Sequence, residues 1–263
     1  MSFDAPSPLD GSPTAPPTAP PPTMVQVSYP QVKPVVTYTI LSLTVLVFVG
    51  QYLSQFMLGA DIPAYVGMKA NDAILRGELW RLFTPMFLHG SLIHIAFNMY
   101  ALHIFGPSLE GRFGHWRFLF LYLLGGFAGN VASFIFSPAY SLGSSTAIFG
   151  LLGAEMVFSY QNRQLLGARA RRVLANVITV AGINLIIGLS PGIDNWGHIG
   201  GLVGGTLFTW FGGPLLQLEG VFPSLTITDR RESNQVLLAA VGVGGFLMML
   251  AGLFIFLRIR GLP

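Results

Sequence analysis

The chain carries seven apolar runs, at 36–58, 91–107, 116–136, 145–160, 173–189, 196–213 and 235–257, interrupted by a single Arg117 and a single Glu155. A helix needs roughly 20 such residues to cross a hydrocarbon core about 30 Å thick, and only helices or closed barrels satisfy every backbone polar group inside lipid. Composition agrees: 52% of the residues are hydrophobic and 10% are charged, against about 25% charged in ordinary soluble domains. The expected fold class is all-α, a polytopic membrane helical bundle. A soluble globular fold does not fit.

The remaining segments organise the bundle. Residues 1–34 are rich in Pro, Ser, Thr and Ala, include Pro20-Pro21-Pro22, and read as a disordered or polyproline-like cytoplasmic tail. The acidic Asp4 and Asp10 and the lack of a basic start followed by an apolar core argue against a transit or signal peptide. Residues 59–90 are too polar to span and too apolar for a free loop, so they are expected to lie in the outer leaflet as an interfacial element, with Trp80 and Arg81 anchoring it at the headgroups. With the N-terminus inside, Lys33, Arg112, Arg117, Arg163, Arg169, Arg171, Arg172, Arg230 and Arg231 are cytoplasmic. Lys69, Arg76, Arg81, Arg258 and Arg260 are then outside, and the positive-inside rule favours this arrangement. The net charge of +3 is spread over loops, with no basic face for nucleic acid, and the absence of cysteine excludes disulfides and thiol chemistry.

Two polar residues sit where apolar helices begin. Ser145 lies in Gly143-Ser144-Ser145-Thr146-Ala147-Ile148-Phe149-Gly150, and His198 in Gly197-His198-Ile199-Gly200-Gly201. Fifteen steps from Ser145 to the helix end cover about 23 Å, and sixteen from His198 to Pro214 about 24 Å, which sets both below the outer surface at equal depth. Their helices run parallel and carry small residues at four-residue spacing: Gly197, Gly200, Gly201, Gly204 and Gly205 on one, Gly150 and Ala154 on the other. Such faces let backbones approach closely in membranes. Singly, Ser145 reads as a helix cap and His198 as a packing residue; together they read as a nucleophile and its base.

His94 and Asn98 are four apart and share one helix face. They read either as donors to an oxyanion or as an interhelical hydrogen-bond pair. A zinc site from His94, His198 and Glu155 is the metal alternative, but nothing resembles H-E-x-x-H and Glu155 lies ten residues deeper than Ser145. Glu155 reads better as a buried hydrogen-bonding carboxylate. Asp194 reads as the N-cap of the helix bearing His198, with orientation of that imidazole as the alternative.

From about Trp80 to Gly205 the chain resembles the rhomboid family of intramembrane serine proteases. The resemblance rests on Trp80-Arg81, His94-x-x-x-Asn98, Glu110-x-Arg112, the Gly143–Gly153 block and Gly197-His198-x-Gly200-Gly201, in family order. It implies a six-helix core over 35–215, a cytoplasmic loop at 216–234 and an additional helix and tail over 235–263. It further implies Ser145 as nucleophile, His198 as general base without a third carboxylate, His94 and Asn98 as the oxyanion pair, and Phe149 packed on the base. No cofactor and no metal are expected. The expected partners are transmembrane protein substrates and membrane lipid, in the plasma membrane with the N-terminus cytoplasmic; the sequence leaves the oligomeric state open.

Two positions depart from the family pattern. Thr146 follows the serine where glycine is usual, which is expected to bear on substrate access or the oxyanion position, and Gly197 precedes the base where alanine is common. A catalytically silent relative that binds membrane clients and a small-molecule transporter are the rival readings. Retention of all four polar residues argues against the first, and the lack of a repeated half against the second.

Overall fold

The computed structural model describes residues 32–221 and 224–262. The expected Pro-rich tail falls almost wholly outside them. Seven long helices correspond to the seven apolar runs: α1 (Val35–Leu58), α4 (Leu92–Phe113), α5 (His115–Phe136), α6 (Ser145–Gln161), α8 (Ala168–Ile187), α9 (Asn195–Gly212) and α10 (Ser233–Ile259). Three short α-helices, α2 (Ile62–Gly67), α3 (Asn71–Leu75) and α7 (Arg163–Leu166), and two 3-10 turns at Leu79–Leu82 and Thr84–Phe87 complete the helical set among the described residues. The chain is thus an all-α, multi-pass integral membrane protein.

Length and composition alone mark α1, α4, α5, α8 and α10 as membrane spans. The other two long helices, α6 and α9, hold Ser145 and His198. At 17 residues, α6 is only about 25 Å long, and the 18 residues of α9 include Asn195, His198 and six glycines, which lower its mean hydropathy. Helix α6 is enclosed by other helices and need not match the full lipid thickness, whereas α9 buries its glycine face and leaves Trp196, Val203 and Phe211 exposed on the other.

Glycines fix this arrangement. A Cβ at Gly201 would stand 2.0 Å from the Thr146 carbonyl oxygen, and one at Gly205 2.0 Å from that of Gly150. On the neighbouring stripe, Cβ atoms at Gly200 and Gly204 would meet the Ala132 and Ala128 methyls at 2.4 and 2.3 Å. Helix α9 is therefore wedged against α6 with one stripe and α5 with the other, as small-residue packing in membranes allows. Helix α5 is the buried centre, 72% of its apolar window lying inside the protein, against 17% for α8 and 22% for α10. Phe118, Leu121, Tyr122, Leu151 and Phe208 are fully buried at this junction.

Two boundaries differ from the sequence reading. The second run does not stop at Pro107: α4 continues to Phe113 and ends at Gly114, whose φ of 78° lets one residue both close α4 and open α5. Continuation lets Glu110 turn back on α1, where its carboxylate accepts from the amides of Val36 (2.8 Å) and Thr37 (2.7 Å) and from the Thr37 hydroxyl (2.6 Å). Those are orphan donors of a helix N-terminus, the place where a negative charge is most stabilising. Beside it Arg112 pairs with Glu155, as an ion pair at the same end of the bundle.

The second difference is at 216–234, expected as a loop. It holds an antiparallel hairpin of β1 (Leu216–Val221) and β2 (Ser224–Asp229). Alternating Leu216, Leu218 and Leu225, Ile227 supply the period of two that strands require. Asn162 at the end of α6 ties the hairpin down, accepting from Leu216 N (2.7 Å) and donating to Pro214 O (3.0 Å), and Arg117 forms an ion pair with Asp229.

Candidate active site

Two local structures bring Ser145 and His198 together. Asp194 caps α9, its carboxylate accepting from Gly197 N at 3.0 Å, so the helix starts just ahead of His198. On the other side the chain turns into α6 at Gly143, whose φ of 136° suits glycine and where a Cβ would lie 2.8 Å from the His94 ring. Neither serine acts as a cap: Ser144 occupies the N-cap position without a side-chain bond to the helix. Ser145 Oγ instead stands 2.9 Å from His198 Nε2. Phe149, one turn into α6, stacks on the His198 imidazole at 4.4 Å between centroids and 8° between planes. That contact fixes the ring orientation. His198 Nδ1 finds no hydrogen-bond partner among the described residues, so the arrangement is a pair and Asp194 serves as the cap.

His94 and Asn98 come to the same place from α4. The His94 ring adjoins Gly143, as does Ser145 Oγ, which lies 3.6 Å from the Cβ position there. Asn98 is buried and donates one amide hydrogen to His94 O at 2.9 Å, leaving a second donor. The His94 ring thus stands on the serine's side of Gly143, with Asn98 one turn further along α4. Glu155, engaged by Arg112, is not part of this cluster.

One residue of this neighbourhood was not singled out from the sequence. His89 is buried just before α4; its Nε2 lies 3.1 Å from Ser144 Oγ and its ring meets His94 edge-on at 5.0 Å. Gln51 of α1 fixes its backbone, accepting from His89 N (3.0 Å) and donating to His89 O (3.2 Å). Burial pushes the His89 imidazole down to about 3, with His94 adding to the effect, so it is neutral at ordinary pH. The available signal was its five-residue spacing from His94, which lacks the helical periodicity that marks His94 and Asn98.

The Thr146 and Gly197 departures are one packing event. Thr146 is buried and directed between α5 and α9: a Cβ at Gly129 would lie 2.6 Å from Thr146 Cβ, and one at Gly197 3.1 Å from Thr146 Cγ2. The larger residue on α6 occupies room that a methyl on α9 would need. Arg81 differs from expectation as well. It is buried and donates to Tyr65 O and Met68 O at 3.0 and 2.9 Å, stapling the segment between α1 and α4 internally, while Trp80 remains half-exposed.

Fold and cluster together define a polytopic helical membrane protein with a serine and a histidine joined at the starts of two packed helices. The rhomboid domain model matches residues 76–215, and the chain belongs to the rhomboid family. Rhomboid protease GluP of Bacillus subtilis (strain 168) is 39% identical over 213 residues, covering 81% of this chain and 40% of that protein. RHOMBOID-like protein 9, chloroplastic, of Arabidopsis thaliana is 37% identical over 159 residues, 60% of this chain and 37% of that one. RHOMBOID-like protein 6, mitochondrial, of the same plant is 41% identical over 129 residues, 49% of this chain and 42% of that one. The chain spans about two fifths of the length of these relatives.

Proposed function

We propose that the chain is an intramembrane serine endopeptidase that cuts peptide bonds in or near transmembrane segments of membrane proteins. The observation that carries this reading is the 2.9 Å contact between Ser145 Oγ and His198 Nε2, within the reach a base needs to take the hydroxyl proton. Ser145 attacks the scissile carbonyl while His198 Nε2 accepts its proton. The oxyanion is met by the Ser145 amide, which opens α6 and has no intrahelical acceptor, together with His94 and Asn98. The proton on His198 passes to the leaving amine, and water then hydrolyses the acyl-enzyme by the same route in reverse. A transmembrane substrate must unwind locally first, because a helical peptide bond is engaged in its own hydrogen bonds.

In this reading 35–215 is the catalytic core, 216–234 is cytoplasmic, and α10 is an addition to a six-helix unit. The protein sits in the plasma membrane, and the distribution of Lys and Arg supports an N-terminus on the inside. The test is cleavage of a reconstituted transmembrane substrate by the wild-type, Ser145→Ala and His198→Ala proteins. Cutting is expected from the wild type alone; persistent cutting by Ser145→Ala would remove the serine mechanism.

A further inference from the structure

Lys69 is fully buried in the outer interfacial segment, between α2 and α3. Its ammonium donates to Ser137 O and Ala139 O, both at 2.7 Å, and its backbone forms a two-way bridge with Ser141. These acceptors lie in the stretch that leaves α5 and leads to Ser145. Arg258, near the end of α10, donates to Ile135 O at 2.9 Å and lies 5.0 Å over the Phe134 ring. Asn71 adds a bond to Ser137 O at 3.0 Å. Two cations thus converge on the C-terminal end of α5, Arg258 on its last turn and Lys69 on the carbonyls of the cap and just beyond, where the helix dipole favours positive charge. Further along the same stretch, Gly143 N donates to Pro85 O at 2.9 Å. Asp194, the cap of the His198 helix, is the anion whose charge faces Lys69, and Arg258 is the facing cation.

We infer that Lys69 is a positioning residue for the proposed hydrolysis: with Arg258 of the seventh helix it holds segment 137–144, and so sets Gly143 and the Ser145 amide in register with His198. This rests on the protease reading above. A neutral side chain could satisfy two carbonyls at smaller desolvation cost, so a charge buried here is explained by what it holds. It also gives α10, the helix beyond the six-helix core, a connection to the site. Burial lowers the Lys69 ammonium to about 8, Asp194 opposing and Arg258 adding to the shift. The clamp therefore weakens as pH rises through 8, because the neutral amine is a poorer donor and no longer answers the α5 dipole.

The test uses full-length protein in proteoliposomes and two readouts. For Lys69→Met, kcat is expected to fall about ten- to hundredfold with KM within about twofold, as displacement of a positioned nucleophile predicts. The wild type is expected to lose kcat above pH 8, and the residual activity of Lys69→Met to lack that limb. Wild-type kcat in Lys69→Met, or persistence of the limb, overturns the inference. Hydrogen exchange of amides 139–144, corrected for intrinsic rates, is the second readout. In the wild type it should open with a midpoint near pH 8, and in Arg258→Gln it should be faster at pH 7. Unchanged protection in both overturns the clamp even if Lys69→Met fails to fold. If the wild type cleaves nothing while exchange opens as expected, the protease reading fails and the clamp stands.

Discussion

Thr146 and Gly197 show how two unusual residues become one ordinary contact. Gly197→Ala alone sets a methyl 3.1 Å from Thr146 Cγ2 and 3.0 Å from Asp194 Oδ2, and should cost about 1–3 kcal/mol by overpacking. Adding Thr146→Gly should recover about 1 kcal/mol of that in a double-mutant cycle of unfolding in mild detergent. Strict additivity would show that the two residues do not share space. The Thr146 hydroxyl is buried without a partner among the described residues, so Thr146→Val should be neutral or stabilising. His89 gives a pH effect of definite sign. Its folded value of about 3 lies below the ordinary 6.5, so the unfolded chain binds the proton first and stability falls as pH drops from about 6.5 toward 3. A His89→Asn protein should show a shallower acid limb in thermal unfolding between those pH values.

At the scale of elements, close glycine packing and one buried carboxylate hold the bundle. Gly205→Ala forces a methyl against the Gly150 carbonyl at 2.0 Å; neither backbone can turn aside, so α6 and α9 must separate. The expected loss is about 3 kcal/mol or more, together with lengthening of the Ser145–His198 contact, which spectroscopic distance measurement between labels on α6 and α9 would register. Glu110→Ala removes three bonds from the start of α1 and should destabilise by about 3 kcal/mol, with faster amide exchange confined first to Val36 and Thr37. The helices themselves were legible because apolar length is a strong signal in lipid. The hairpin was not: its strands are six residues each, too short for their alternation to stand out beside the long helices. Nor was the passage of α4 through Pro107, since Pro ordinarily ends a helix and only the later contact of Glu110 with α1 shows what continuation achieves.

Over the whole molecule, the sequence carried the pairing better than its surroundings. Counting rise along two helices put Ser145 and His198 at one depth, and the glycine spacings of α6 and α9 indicated that the helices touch; both follow from local periodicity. What periodicity cannot convey is which non-helical segment folds over the site. The lysine at 69, the histidine at 89 and the arginine at 258 reach the approach to Ser145 from three distant parts of the chain. Their roles depend on tertiary placement. The positive charges that run against the positive-inside count under the proposed orientation find a use here too: Lys69 and Arg258 sit at the negative end of α5 instead of in water. The Ser145–His198 pair itself is open to covalent capture. A fluorophosphonate probe applied to the reconstituted protein and located by mass spectrometry should mark Ser145 in the wild type and leave His198→Ala unmarked. Labelling of a different residue, or undiminished labelling of Ser145 without His198, would contradict a nucleophile activated by that histidine.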